Sequence, residues 1–236
     1  MRYPSYLKED RWLSDIIQRK AYHLQPDEFL ASKQPLELEK DTFIQTKVPT
    51  EDASSCIALQ QKGFLCIDTN VIFELKNENA RELSFSRDLA YRFSHAQQDD
   101  LKPVAACARD SFIYTRYHLD PKFTKHMADT IKSEWAGNYF SGQRGQGMVL
   151  AKHDSGQVAG FCQTLEPDRK TRVIDLIAVA ESDRRQGLAQ GMILYDLGNK
   201  DLIVGTQVSN IPSIRCYESM GFKLIKSQYV FHFHGS

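Results

Sequence analysis

Apolar positions along the chain change period several times, and each change marks a new element. Leu89 to Ala96 alternates as a half-buried strand. Asp99 and Asp100 then precede Leu101, Val104, Ala105 and Ala108, whose spacing predicts a helix with Pro103 tolerated in its first turn. Phe123, Met127, Ile131 and Trp135 recur every four residues and predict a second amphipathic helix over 122–136, its stripe read as core. Gly147 to Lys152 and Val158 to Leu165 read as strands joined by Asp154-Ser155-Gly156, a glycine-bearing turn that predicts an antiparallel hairpin. Thr171 to Ala180 predicts a third strand, followed by a helix from Leu188 to a stop at Gly198-Asn199. Leu202 to Val208 reads as strand, 211–220 as helix closed by Gly221, and Phe222 to His234 as two alternating strands. The resulting class is α+β around one mixed sheet.

Part of this order occurs twice. Thr42 to Val48 and the helix ending Ala58-Leu59-Gln60-Gln61-Lys62-Gly63-Phe64 parallel Leu202 to Val208 and Cys216-Tyr217-Glu218-Ser219-Met220-Gly221-Phe222. Beyond each Gly-Phe, Ile67, Val71, Phe73 and Leu75 stand where Ile225, Tyr229, Phe231 and Phe233 stand, a constant offset of 158 positions. The first copy reads as truncated, and Leu59 in place of Tyr217 deprives it of that position's polar chemistry. A polar run from Lys76 to Glu82 without periodicity reads as a solvated boundary. It divides the chain into a smaller N-terminal unit, 1–82, and a main domain, 83–236.

Composition narrows the classes. The chain has 236 residues, 42% of them hydrophobic, enough for one large or two small cores and too many for disorder. Thirty Lys and Arg balance thirty Asp and Glu, so no overall field steers the chain to nucleic acid or an anionic membrane. Any anion site must be local. Five cysteines without a C-x-x-C pair read as core residues in a reducing compartment. No apolar run reaches membrane-span length and the first ten residues lack a signal-peptide core, which predicts a cytoplasmic protein.

The stretch richest in chemistry is Val173-Ile174-Asp175-Leu176-Ile177-Ala178-Val179 followed by Ala180-Glu181-Ser182-Asp183-Arg184-Arg185-Gln186-Gly187-Leu188-Ala189. A buried strand enters a helix through a short R-x-x-G-x-A loop. Free amides and the positive helix end favour an anion such as phosphate there, Gly187 permits close approach, and small Ala189 keeps helix and strand together. By itself this pattern is also compatible with a chance helix start. Asn210 after the next strand and Tyr217 on the next helix give it context, and with them residues 89–234 resemble the GNAT superfamily of N-acetyltransferases.

The resemblance implies a GNAT fold, a mixed and mostly antiparallel central sheet with flanking helices. It is preceded by a smaller α/β unit resembling the C-terminal half of such a domain. The implied cosubstrate is acetyl-CoA, with no metal. Arg184, Arg185, Gln186, Gly187, Leu188 and Ala189 would hold its pyrophosphate, Asn210 the pantetheine or phosphate arm, and main-chain groups of Ile177 and Val179 the pantetheine. Tyr217 would be the general acid to the departing thiolate. Glu181 stands where many members have Pro, and two acids beside the loop are expected to weaken its charge.

Leu59 to Phe64, Arg11-Trp12, Ser111-Phe112 and Arg116-Tyr117 resemble, more narrowly, the acetyltransferases of nucleotide-linked 4-amino-4,6-dideoxyhexoses. That likeness implies an amino-sugar acceptor, a dimer, and a carboxylate near Asp68 acting as base. Asp175, a carboxylate on an apolar strand, is the rival base, and a mechanism with no dedicated base stays open. Arg116, Tyr117 and His118 could grip phosphate and stack on a nucleobase, or form a solvated loop before Pro121. His232 and His234 share a strand face, but the sequence identifies no third metal ligand. Another small or peptide amine, and a non-catalytic acyl-CoA-binding module, are the alternative readings.

Overall fold

In the computed structural model of the chain, residues 4–32, 39–80 and 90–235 are described. Arg81, Glu82 and Leu89, part of the expected boundary and first strand, lie outside them. The N-terminal stretch runs β1 (Leu7–Glu9), α1 (Arg11–Ile17), β2 (Ala21–Leu24), α2 (Pro26–Ala31), β3 (Phe43–Pro49), α3 (Ala53–Gln61), β4 (Leu65–Leu75) and α4 (Asn77–Ala80). Then follow β5 (Tyr91–His95), α5 (Leu101–Ser111), α6 (Arg116–Leu119), α7 (Lys125–Gly137), β6 (Gly147–His153), β7 (Val158–Leu165) and β8 (Thr171–Val179). α8 (Leu188–Tyr195), β9 (Asp201–Gln207), α9 (Ile211–Ser219) and β10 (Lys223–His234) complete the order. No described helix is long and apolar enough to cross a membrane.

The ten strands of the described residues join one sheet, in the order β1-β2-β3-β10-β4-β9-β8-β7-β6-β5. The strands of residues 1–82 therefore share a sheet with those of 83–236. β4 stands between β10 and β9, and β10 between β3 and β4. The 158-residue repeat is written into the register. Moving the two members of Thr69↔Tyr229 by that offset in opposite senses gives Ser227↔Val71, another observed pair, while Asn70↔Gln228 maps onto itself. The same shift turns Val48↔Tyr229 into Thr206↔Val71. A local pseudo-twofold axis thus runs through the Asn70–Gln228 pair, and each copy's last strand pairs inside the other copy.

The repeat also reaches further than the sequence suggests: β1–β2 antiparallel followed by β2–β3 parallel repeats β7–β8 antiparallel followed by β8–β9 parallel. The helix starts repeat too. Asp52 caps α3 by accepting from the Ser55 amide, and Asn210 caps α9 by accepting from the Ser213 amide.

Side-chain alternation splits the core between the two faces of the sheet. On one face Val71, Phe73 and Leu75 of β4 meet Leu188, Met192 and Tyr217 of α8 and α9, and Ile44, Val48, Leu59, Phe64 and Phe231 form the N-terminal equivalent. On the other face Leu13, Phe43, Tyr117, Phe123 and Ile131 pack between α1, α7 and β3. Val104, Ala108, Leu150, Phe161 and Leu176 continue that layer under α5.

Three elements differ from expectation, each for a local reason. The second amphipathic helix begins at Lys125, because Thr124 Oγ1 accepts from the Met127 amide at 3.2 Å and caps it there. Phe123 packs into the core from ahead of the helix. α8 stops at Tyr195, where Arg172 takes both the main-chain carbonyl and the carboxylate of Asp196. After Phe222 there is one long strand, since a bulge at Ile225 absorbs the irregularity without a turn; Ile67, its repeat partner, makes the matching bulge in β4.

Candidate active site

The site begins where two parallel strands part. β8 and β9 pair from Thr171↔Asp201 only to Ile174↔Val204. Beyond that, β8 keeps its partner β7 through Ile177↔Cys162 and Val179↔Gly160, while its other edge opens. At the bulge, Gln163 faces Leu176 and Thr164 faces Ile174, leaving Asp175 as the extra residue. That residue is turned toward α7. β8 then enters a short 3-10 turn at Glu181–Asp183, and the loop reaches α8 through Arg185 and Gly187, both left-handed (φ 64° and 81°). Gly187 is the N-cap, a backbone that glycine adopts without cost, and the amides of Arg185, Gln186 and Gly187 donate no hydrogen bond among the described residues. With the first amides of α8, Leu188 and Ala189 among them, they form a concave set of donors suited to an anion.

Side chains around this loop sharpen the picture. Asp183, expected to weaken its charge, is buried and turned inward. It accepts from Tyr91 Oη at 2.7 Å and Ser182 Oγ at 2.7 Å, and pairs with His153 at 3.0 Å. Only Glu181 remains as an exposed acid beside the donors. Arg184 folds back over the end of β8, its Nε donating to the Val179 carbonyl at 3.2 Å and its Nη2 to the Ser111 carbonyl at 3.2 Å. Asn210 commits its side chain to capping α9 and to Thr206 Oγ1 at 3.1 Å, so neither polar end reaches outward.

Tyr217 is buried on the α8/α9 face, with its ring 6.1 Å from Phe73 and 5.6 Å from Phe222. Burial raises its phenol far above the ordinary range, so it stays protonated wherever the protein is folded.

Asp68 lies on the opposite face of β4, directly after the Ile67 bulge. Its Oδ1 accepts from the Thr69 amide at 2.7 Å, and its Oδ2 is buried without a partner. Burial raises its pKa, opposed by the Thr69 amide and the charges of Arg116 and Lys47. Asp175 presents the contrary case. Arg144 grips it through Nε and Nη2, both at 2.6 Å, while Trp135 Nε1 donates at 2.9 Å and Gln163 Nε2 at 3.3 Å. A carboxylate gripped on both oxygens in this way is a strut between β8 and α7.

Of the Arg116-Tyr117-His118 cluster, only Arg116 is turned toward Asp68. The three residues open the one-turn helix α6, capped by Thr115, which carries Tyr117 into the core, where its hydroxyl accepts from Arg116 and donates to Gln45 Oε1 at 3.4 Å. His118 is bound by Thr115 and by Asp129 at 2.9 Å. Neither ring is open to stack on a base. His232 and His234 do have a third neighbour, missed because it lies far away in sequence: Asp120 Oδ2 sits 2.6 Å from His232 Nδ1 and 2.8 Å from His234 Nε2. Arg19 Nη1 lies 3.3 Å from the remaining His234 nitrogen, so the cluster is a hydrogen-bonded clamp flanked by a cation.

Sequence reasoning also missed Lys47 and Lys132. Burial, followed by repulsion from Arg116, lowers Lys47 to about 8 and Lys132 to about 7. Their isolated positions in β3 and in the helical stripe carried no signal; only the fold brings them toward Arg116.

Two parted parallel strands, a donor-rich loop at a helix start and a buried tyrosine on the following helix are the arrangement that the resemblance to the GNAT class leads one to expect. A model of the acetyltransferase (GNAT) family matches residues 111–222, and the chain carries a GNAT acetyltransferase domain. The protein is thus an acetyltransferase. It is 27% identical over 202 residues to the spore coat polysaccharide biosynthesis protein SpsD of Bacillus subtilis (strain 168), covering 83% of this chain and 68% of that protein. Its fold is similar to a functionally unknown conserved protein from Staphylococcus epidermidis, with TM-score 0.62, 16% identity, and 82% and 73% of the two chains covered. It is also similar to a tandem GNAT protein from the clavulanic acid biosynthesis pathway, with TM-score 0.59, 12% identity, and 82% and 64% covered.

Proposed function

We propose that the chain transfers an acetyl group from acetyl-CoA to the amine of a nucleotide-linked amino-deoxy sugar, by direct attack in a ternary complex. The observation that carries the reading is the placement of unlike groups on opposite faces of the sheet at β4, whose neighbour β9 borders the β8–β9 gap. Tyr217 lies on the α8/α9 face, and Asp68, with an unpartnered Oδ2 beside Arg116, on the α6/α7 face. An acyl group held in the gap can be approached from both.

In this reading the donors from Arg185 to Ala189 hold the pyrophosphate and Arg184 swings off the Val179 carbonyl to join them, leaving that carbonyl for pantetheine. Asp68 accepts the proton of the attacking amine, a role favoured by its partial desolvation. Tyr217, always protonated, donates to the sulfur as the carbon–sulfur bond breaks. A cation-lined acceptor side suits an anionic sugar nucleotide better than a polyamine or aminoglycoside. The relative named for spore coat polysaccharide biosynthesis supports a sugar acceptor.

The test is calorimetric titration with acetyl-CoA, followed by a thiol-release assay. Acceptors would be dTDP- and UDP-linked 4-amino-4,6-dideoxyhexoses beside spermidine and an aminoglycoside. One-site binding and thiol release with the sugar nucleotides is the expected result; turnover confined to the polycations would overturn the acceptor assignment, and no acetyl-CoA binding would overturn the whole reading.

A further inference from the structure

On the α6/α7 face three cations from separate elements approach one another: Lys47 of β3, Arg116 of α6 and Lys132 of α7. The carboxylates within electrostatic reach are Asp10, which pairs with His23, Asp68 of β4, and Asp175 of β8, which Arg144 already occupies. Lys132 is buried between the rings of Trp135, 4.3 Å from the ammonium, and Phe112, at 5.1 Å, and among the described residues it donates to no oxygen. Arg116 Nε is likewise buried without an acceptor. A buried donor without an acceptor costs folding free energy, so Arg116 Nε, with the exposed Lys47 and the oxygen-free Lys132 ammonium near it, is suited to a ligand that supplies the acceptors.

We propose that Lys132, with Arg116 and Lys47, holds the diphosphate-like anionic group of the acceptor, and that docking of this group is coupled to proton uptake by Lys132. The inference rests on the acetyl-transfer reading and deepens it. Trp135 and Phe112 pack on either side of the lysine end, so the nitrogen is positioned before the ligand arrives, and their ring faces favour the ammonium form once it is protonated. In the free protein burial and the facing charges of Arg116, Arg144 and Lys47 hold Lys132 at about 7, with Asp175 the opposing influence. An arriving phosphate oxygen reverses that balance and favours the ammonium form. The proton comes from solvent and buffer, and no covalent bond changes.

The experiment uses the protein saturated with CoA, so that the α8 loop cannot compete for the probe. Thymidine diphosphate, inorganic pyrophosphate and thymidine are titrated by calorimetry at pH 7.5 in buffers of unlike ionisation enthalpy. The two diphosphates should bind at least about ten-fold more tightly than thymidine, as expected for charge-assisted hydrogen bonds. Uptake should approach roughly one proton, about three-quarters of it the neutral fraction of Lys132 at about 7 and about a quarter that of Lys47 at about 8. Lys132→Met should weaken thymidine diphosphate about ten-fold or more and remove most of the uptake. Lys132→Arg should keep binding within a few-fold yet lose the Lys132 share of the uptake, because a guanidinium is always charged; it decides the matter if the methionine variant fails to fold.

Equal binding of thymidine and its diphosphate, or undiminished proton uptake in both variants, overturns the proposal. If CoA binds while these probes fail, acetyl transfer stands and the anion site alone is lost. If CoA itself fails to bind, the acetyl-transfer reading falls, and the diphosphate titration of the three proteins still decides Lys132.

Discussion

The clamp formed by Asp120, His232 and His234 ties the turn after α6, and hence the segment that presents Arg116, to the end of β10. His232 is completely buried, its ring 4.8 Å from Phe43 and beside Tyr117 and Phe123. Burial lowers it to about 4, with the hydrogen bond to Asp120 only partly opposing. Its unfolded value is about 6.5. Because the folded value is depressed, the stability linked to this group is full above about 6.5 and is lost as pH falls toward and through about 4. The total loss is about 3 kcal/mol, of which about 2 kcal/mol is gone by pH 5. Asp120 is held below its ordinary range by the two imidazoles despite its burial, so its own contribution survives to lower pH.

The perturbation is His232→Asn, which keeps a donor near the Nδ1 position and removes the titration. Urea unfolding followed by tryptophan fluorescence at pH 7.5, 6.5, 5.5 and 5.0 measures both proteins. Wild type should lose about 2 kcal/mol more than the variant between the extremes, a large share of the ~5–15 kcal/mol typical of a folded protein. Ionisable groups outside the clamp are common to both and cancel in the difference, and Asp120 keeps His234 and the Lys122 amide as partners in the variant. Parallel pH profiles for the two proteins would refute the reasoning.

Replacement of Tyr217 by Phe should lower turnover on the order of 100-fold while acetyl-CoA affinity, measured by calorimetry, stays within a few-fold; unchanged turnover would remove its acid role. Gly187→Glu places a side chain and a negative charge where φ is 81° and the loop amides converge, so CoA binding should be abolished, and intact binding would dissociate the loop from pyrophosphate. Asp68→Asn should cut turnover about 100-fold and erase the acid limb of the pH–rate profile. In wild type that limb lies above the ordinary aspartate range because the folded carboxyl is raised. A limb that persists in the variant would leave the reaction without Asp68 as its base.

The sequence carried much of this architecture because its signals are local: the period of Leu101 to Ala108, the glycine turn at Gly156, and the Gly187 helix start all depend on near neighbours. The repeat was legible through Gly63-Phe64 and Gly221-Phe222 as well. What the repeat could not reveal was pairing, since an offset says which residues correspond and nothing about which strand lies beside which. For the same reason the positions of Asp68 and Arg116 on one face, and the burial of Tyr117 and His118, follow from contacts far apart in sequence. Asp175 reads in the chain as an unexplained carboxylate on an apolar strand. Its explanation, Arg144, stands in a loop that gave no periodic signal.

The exchange of β4 and β10 has a consequence for how the chain matures during synthesis. β3 and β4 leave the ribosome early, yet the strand that fills the space between them is made long afterwards. Until then two strand edges are exposed, an invitation to pair with other chains, and the slow arrival of so distant a partner makes premature association the main hazard of biogenesis. Losing β10 would strip β3 and β4 of a partner at once, because each copy is closed by the other's last strand.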